Sequence, residues 1–220
     1  MHAESKALLA IARRLADHGL LAGTSGNLSV RLDDGRILAT PTRMYKGTLT
    51  ADDLVLLDRS GELVRPDGPK PSSEIAVHLA LYKASSDIGA VVHAHPAHAT
   101  VVGMLDEPVN LCITAEGAAA FGPAARIMYI RPGTEHLATA CASAWPRAAC
   151  ILMRHHGATT VGEDLEEAWA RMSSLEHVCR IWVLARQAGL EPPVLSDDEV
   201  RALRVKMGWP QDTPVGVFDL

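Results

Sequence analysis

The chain has 220 residues, 48% hydrophobic and 21% charged, with 26 acidic against 21 basic side chains and a net charge of −5. That is enough apolar material for a substantial core, and with no compositional break the sequence reads as one domain over residues 1–220. Scattered basic residues exclude the electrostatic footprint of a nucleic-acid binder, and no stretch is apolar enough to span a bilayer, so the expectation is a cytoplasmic protein with neither nucleic acid nor membrane as partner.

Glu4, Lys6, Arg13, Arg14 and Asp17 interrupt the apolar residues of the N-terminal segment. This is the pattern of an amphipathic helix over 4–18, with Gly19 where a C-terminal cap falls, and not of a signal peptide. Segments 26–32 and 36–40 read as a hairpin turning at Asp33-Asp34-Gly35, and 54–58 with 62–65 as a second one through Ser60-Gly61. The Pro/Gly-bearing stretch 65–71 reads as a surface loop. Ser72-Ser73-Glu74 opens a helix to about residue 85, with a hydroxyl as N-cap and a carboxylate in the first turn. Then follow a strand at 90–95, a helix at 97–105, a strand at 126–130, a helix at 134–145, a strand at 149–153 and a short one at 159–161. A long helix over 165–188 stops at Gly189, and a charged helix at 197–206 closes the chain. Hairpins followed by interleaved strands and helices predict an α/β fold with a mixed sheet covered by helices. Cys112, Cys141, Cys150 and Cys179 are widely spaced without a Cys-x-x-Cys pair, which predicts buried free thiols and excludes a cysteine metal site.

The chemistry-bearing residues concentrate in three places. His93 and His95 alternate on a strand, so both imidazoles point the same way about 7 Å apart and can reach one metal ion. A catalytic metal wants a third protein ligand, and His156 leads for it, with His155 competing within His155-His156-Gly157. Glu74 either joins that site as ligand or general base, or simply complements its helix dipole. The Ser72 and Ser73 hydroxyls with the free N–H groups of that helix start form one candidate anion site, and Gly23-Thr24-Ser25-Gly26-Asn27 another.

In order and spacing, Gly23-Thr24-Ser25-Gly26-Asn27-Leu28-Ser29, Thr40-Pro41-Thr42, Pro71-Ser72-Ser73-Glu74, Val92-His93-Ala94-His95-Pro96 and His155-His156-Gly157 resemble the class II aldolase/adducin family over roughly residues 4–189. The resemblance implies a three-layer α/β/α fold around a mixed, largely antiparallel sheet. It implies Zn2+ held by His93, His95 and His156, with Glu74 as a fourth ligand that substrate displaces and that then carries the catalytic proton. Asn27, Thr42, Ser72 and Ser73 match positions that hold a substrate phosphate, and the assembly implied is a homotetramer with active sites at subunit interfaces. The activity implied is that of a metal-dependent carbon–carbon lyase. It would be a zinc-dependent aldolase cleaving a ketose 1-phosphate of the fuculose, rhamnulose or deoxyribulose type to dihydroxyacetone phosphate and an aldehyde. Alternatives on the same scaffold are decarboxylation of a 3-oxo acid sugar phosphate, 4-epimerisation of a pentulose phosphate, and a non-catalytic adducin-like module. Retention of Glu74 and all three histidines argues against the last.

Two departures from the family pattern stand out. Aldolases of this type carry a tyrosine as proton donor in the region between residues 110 and 122, where this chain has none. Tyr129, Thr114 and Glu116 remain as substitutes. Arg43 follows the Pro-Thr pair where relatives commonly have glycine, and suits a phosphate or carboxylate contact. His78 and His98 read as packing or capping residues, and the stripe along 165–188 as core or subunit contact.

Overall fold

The computed structural model describes residues 2–209 and 213–220. Its strands are β1 (Asn27–Arg31), β2 (Ile37–Ala39), β3 (Val55–Leu57), β4 (Ala90–Ala94), β5 (Ala124–Ile127), β6 (Cys150–Met153), β7 (Gly157–Gly162) and β8 (Val217–Asp219). They form one sheet in the order β3-β2-β1-β4-β7-β6-β5-β8. Pairings from β3 across to β6 are antiparallel, while β5 runs parallel to both β6 and β8. The sheet is therefore mixed and largely antiparallel, as the sequence predicted.

Alternation along each strand divides the core between two faces. Ala90, Val92 and Ala94 of β4 pack into a cluster with α1 (His2–Asp17), α3 (Ala97–Met104) and α6 (Leu165–Gln187), whereas Val91 packs on the other face with α2 (Ile75–Ala84) and α5 (Glu135–Ala144). These are the three layers. On α6 the buried positions Leu165, Ala168, Met172, Leu175, Cys179 and Trp182 recur at three- and four-residue steps, one continuous stripe facing the sheet. Each fully buried leucine of this stripe contributes about 2 kcal/mol by leaving water. His93 shares the face of Val91, so the fold places it beneath the start of α2.

Several elements differ from their sequence expectation. The return limb of the second hairpin pairs only through a single bridge, Leu57 to Leu63. Asp58 there accepts the N–H groups of Ser60 and Glu62, which tightens the turn, and Pro66 has no N–H to continue the ladder. Strand β5 begins two residues earlier than predicted because all four of its residues are buried, leaving no polar alternation to mark its ends. The short helix α4 (Ala115–Ala119), capped by Thr114, and the three-residue β8 were not predicted. Helix α7 (Asp197–Lys206) matches its expected bounds and is closed by a Ser196–Glu199 capping box. The four cysteines are buried free thiols.

The start of α2 also differs, with consequences for the site. The predicted helix opened with serine caps and Glu74 in its first turn, but α2 begins at Ile75 and Glu74 is itself the cap residue, at φ −95° and ψ 9°, with no side-chain cap bond. The Ser72 hydroxyl accepts instead from the Glu74 N–H at 3.2 Å. Glu74 cannot cap its own helix because its carboxylate is turned to the histidines.

Candidate functional site

Three strand ends meet under the N-terminus of α2. His93 lies within β4, His95 one residue beyond it, and His156 in the turn between β6 and β7. That turn is tight because His155 adopts φ 56° and Gly157 follows with its backbone against Ala94 and His95. Left-handed backbone at His155 sends consecutive side chains in divergent directions, which resolves the competition between the two. His156 enters the cluster, while His155 is exposed with its ring 6.3 Å from that of Tyr129.

The three imidazole centroids lie 4.8 to 5.2 Å apart, and one ligand atom from each falls within 4.8 Å of the others. Nε2 of His93 is 3.1 Å from Nε2 of His95 and 3.3 Å from Oε2 of Glu74, and Nε2 of His156 is 3.1 Å from Oε1 of Glu74. On its far side, Nδ1 of His93 is 3.0 Å from the Ala158 carbonyl and 3.2 Å from the Thr159 hydroxyl. A carbonyl only accepts, so Nδ1 of His93 carries the hydrogen and a neutral ring presents its lone pair at Nε2. That lone pair faces another imidazole nitrogen and a carboxylate oxygen. Acceptors converging in this way are stable only around a proton or a cation, and three imidazole nitrogens with one carboxylate are a donor set suited to a divalent transition metal.

The electrostatics agree with that donor set. Burial pushes the His95 imidazolium down to about 4, helped by His93 and His156, so the ring is neutral at physiological pH. Burial opposes the charged form of Glu74, but His156 and His93, wherever their Nε2 carries the proton that these acceptors share, outweigh it and hold the carboxyl well below its ordinary range. Behind the cluster lies a polar residue that sequence reasoning set aside. His78, one helical turn after Glu74, is fully buried and bonds through Nδ1 to Ser29 Oγ at 2.7 Å, which in turn meets Tyr82 OH at 2.8 Å. Its i+4 spacing from Glu74 was the available signal.

The predicted anion-binding residues assemble on the same side. Asn27 pairs in register with His93 and shares its face of the sheet, and its Nδ2 donates to Ser72 Oγ at 3.2 Å. Thr42 is drawn to this loop because Pro41 bridges Pro71 and the Thr42 N–H donates to the Lys70 carbonyl at 2.9 Å. Ser73 abuts Gly133, at φ +74°, where an added Cβ would lie 3.5 Å from the Ser73 carbonyl oxygen. Gly26 must be glycine, since its φ is +72° and a Cβ would stand 2.9 Å from the His93 carbonyl oxygen. Lys46 is buried, with Nζ donating to the carbonyls of Thr24 and Met44 at 2.7 and 2.9 Å. It ties the loop before β1 to the loop after β2. Arg43 sits at φ 57°, a left-handed backbone that suits glycine better than arginine. His98 lies in the first turn of α3, where its Nδ1, its own N–H and the Ala99 N–H all meet the Glu176 carboxylate, so Glu176 caps this helix and His98 is held by it.

Comparison with known proteins gives a consistent result. The family model for the Class II Aldolase and Adducin N-terminal domain matches residues 6–183. A 3-oxo-tetronate 4-phosphate decarboxylase from Haemophilus influenzae is 33% identical over 205 residues, covering 91% of this chain and 96% of its own. An L-fuculose phosphate aldolase from Escherichia coli O6:H1 is 33% identical over 188 residues, 86% of each chain. Among solved structures, a Klebsiella pneumoniae protein named as an aldolase/epimerase/decarboxylase superposes with a TM-score of 0.84 at 32% identity, covering 92% of this chain and 98% of that one.

Proposed function

Since the chain belongs to the class II aldolase and adducin family, we propose that it is a divalent-metal-dependent carbon–carbon lyase acting on a phosphorylated keto-sugar. The observation that carries this reading is the convergence of His93, His95, His156 and Glu74 beside the Asn27, Thr42, Ser72 and Ser73 loops. His93, His95 and His156 would hold the metal, with Glu74 as a fourth ligand until substrate enters. Imidazole nitrogens suit zinc, which when bound supplies Lewis-acid polarisation of the substrate carbonyl.

The residues of the chain supply the rest. Breaking a carbon–carbon bond beside a carbonyl leaves an electron pair on the carbonyl-bearing fragment, and the proton that quenches it must come from a fixed group. Glu74 is that group: it returns the proton in cleavage and removes it in condensation. The hydroxyls of Ser72 and Ser73, the Asn27 amide and Thr42, with the N–H groups at the start of α2, hold the phosphate and so fix the distance from anion to reacting carbon.

The sequence motifs favour aldol cleavage of a ketose 1-phosphate to dihydroxyacetone phosphate and an aldehyde. Decarboxylation of a 3-oxo acid sugar phosphate is the second reading. It is favoured by the lack of tyrosine in residues 110–122 and by a decarboxylase relative aligned along nearly its whole length. Losing carbon dioxide leaves no aldehyde oxygen to protonate, so it needs no such donor. The same reading makes the protein a single-domain cytoplasmic homotetramer with sites near subunit interfaces. Exposed Met128 and Tyr129 beside His155 are apolar surface suited to a neighbouring copy.

A panel of ketose 1-phosphates and phosphorylated 3-oxo acids, followed together for triose phosphate and carbon dioxide, separates the two reactions. His95→Ala should lose both bound metal and turnover. Unchanged metal content in that variant contradicts the proposal.

A further inference from the structure

Two loops flank the Ser72-Ser73-Glu74 segment, and each brings an exposed arginine. Arg43 follows Thr42 on the side bridged to Pro71. Arg131 lies on the other loop, between two fixed points. Tyr129 stands against His155, next to the metal-site turn, and Gly133 packs on Ser73. The Thr134 hydroxyl donates to the Arg131 carbonyl at 2.8 Å and closes the turn between them. The 129–133 segment therefore runs from the outer side of the His155-His156 turn to the anion-binding serines.

Neither guanidinium has an ion-pair or hydrogen-bond partner among the described residues. Neighbouring cations are committed elsewhere: Lys46 to two backbone carbonyls, Lys70 to that of Pro66, and Arg126 to the Asp219 carboxylate. Glu135, the carboxylate nearest Arg131 in sequence, lines a separate groove with Ala76 and Lys83. In a chain of net charge −5, two uncommitted forks on loops that border one hydroxyl cradle match a ligand with two anionic groups.

We propose that Arg131 is a specificity-determining residue that binds a carboxylate on the substrate, while Arg43 and the serines take its phosphate. The substrate class is then a phosphorylated sugar acid, which selects the second of the two reactions above over cleavage of a neutral ketose 1-phosphate. This rests on the reading that Asn27, Thr42, Ser72 and Ser73 hold the phosphate. An arginine stabilises the carboxylate it grips, so the contact adds affinity and not rate. Its loss shows in KM, with kcat unchanged or higher.

Calorimetric titration of the metal-loaded protein with 3-phosphoglycerate and glycerol 3-phosphate isolates the carboxylate, because the two share a phosphate and a three-carbon skeleton. Wild-type protein should bind 3-phosphoglycerate about 10- to 100-fold more tightly, the usual worth of a charged hydrogen-bonded pair. Arg131→Gln should erase that difference and leave glycerol 3-phosphate affinity within about twofold, and Arg131→Lys should restore part of it. Equal affinity for both probes in the wild-type protein overturns the proposal, as does an equal loss for both in Arg131→Gln. The substrate panel is scored separately. Turnover of ketose 1-phosphates alone, with no discrimination in binding, refutes the carboxylate assignment and leaves the lyase reading standing. Discrimination without any turnover does the reverse.

Discussion

Gly157→Ala tests whether the metal site is built by backbone contact between β4 and the His155-His156 turn. A Cβ at this position would stand 2.4 Å from the Ala94 carbonyl oxygen and 2.8 Å from His95 Cδ2. Ordinary contact begins near 3.4 Å, so roughly 1 Å must open between β7 and the end of β4 in an interior packed too tightly to yield freely. Gly157 is not among the residues of positive φ, which makes the perturbation steric and leaves backbone preference aside. The atoms that must move are the Ala94 carbonyl and the ring and Cα of His95, so the expected result is a loss of about 1 to 3 kcal/mol in stability together with displacement of a metal ligand. A misplacement of about 1 Å in a catalytic group costs on the order of 100-fold in rate. Urea denaturation and metal titration of the same preparation separate the two effects. Gly189→Ala is the control: at φ +77° with nothing within 4 Å, it strains the end of α6 by about 1 kcal/mol and touches nothing in the site. If Gly157→Ala binds metal as the wild type does, or loses no more metal affinity than the control, the close approach of Gly157 does not position His95.

Glu74→Gln should keep bound metal, since three imidazoles remain, while kcat falls by about 100-fold or more through loss of the proton carrier. Metal stoichiometry measured beside kcat tells this apart from simple loss of the ion. Arg43→Gly should raise stability by up to about 1 kcal/mol by relieving left-handed backbone at φ 57°, and weaken binding of phosphorylated ligands; a lower urea midpoint would show that this conformation is not strained. Burial, then His93, push the His78 imidazolium down from 6.5 to about 3, so the unfolded chain takes up this proton before the folded one does. Its contribution to stability is therefore complete above pH 6.5 and is lost as pH falls toward 3, at up to about 1.4 kcal/mol per pH unit. Denaturation curves across that range should be flatter for His78→Gln, and an unchanged slope would assign the acid sensitivity to other groups.

Much of this molecule was legible in its sequence because the decisive signals were local. The three- and four-residue steps of α6, the Asp33-Asp34-Gly35 turn and the alternation that puts His93 and His95 on one face each follow from a few neighbouring residues, and the structure keeps them. Where that local signal was missing, the reading failed. Strand β5 is buried on both sides and shows no alternation, β8 is three residues long, and the return limb after Glu62 has strand-like residues that Asp58 and Pro66 prevent from pairing beyond one bridge.

The site divides in the same way. Residue types and their order singled out the histidines, Glu74 and the candidate anion-binding loops, because metal and phosphate chemistry demand those groups. Their meeting depends on strand register and turn geometry, which no short segment encodes. Asn27 opposes His93 only because β1 pairs antiparallel with β4, and His156 displaces His155 only because the backbone at 155 turns left-handed. Glu74 gives up the cap of its own helix because two imidazoles from distant strands compete for its carboxylate. Sequence set which chemistry was available to this chain; tertiary packing, acting through contacts between residues far apart along it, decided which of those groups could act on the same atoms.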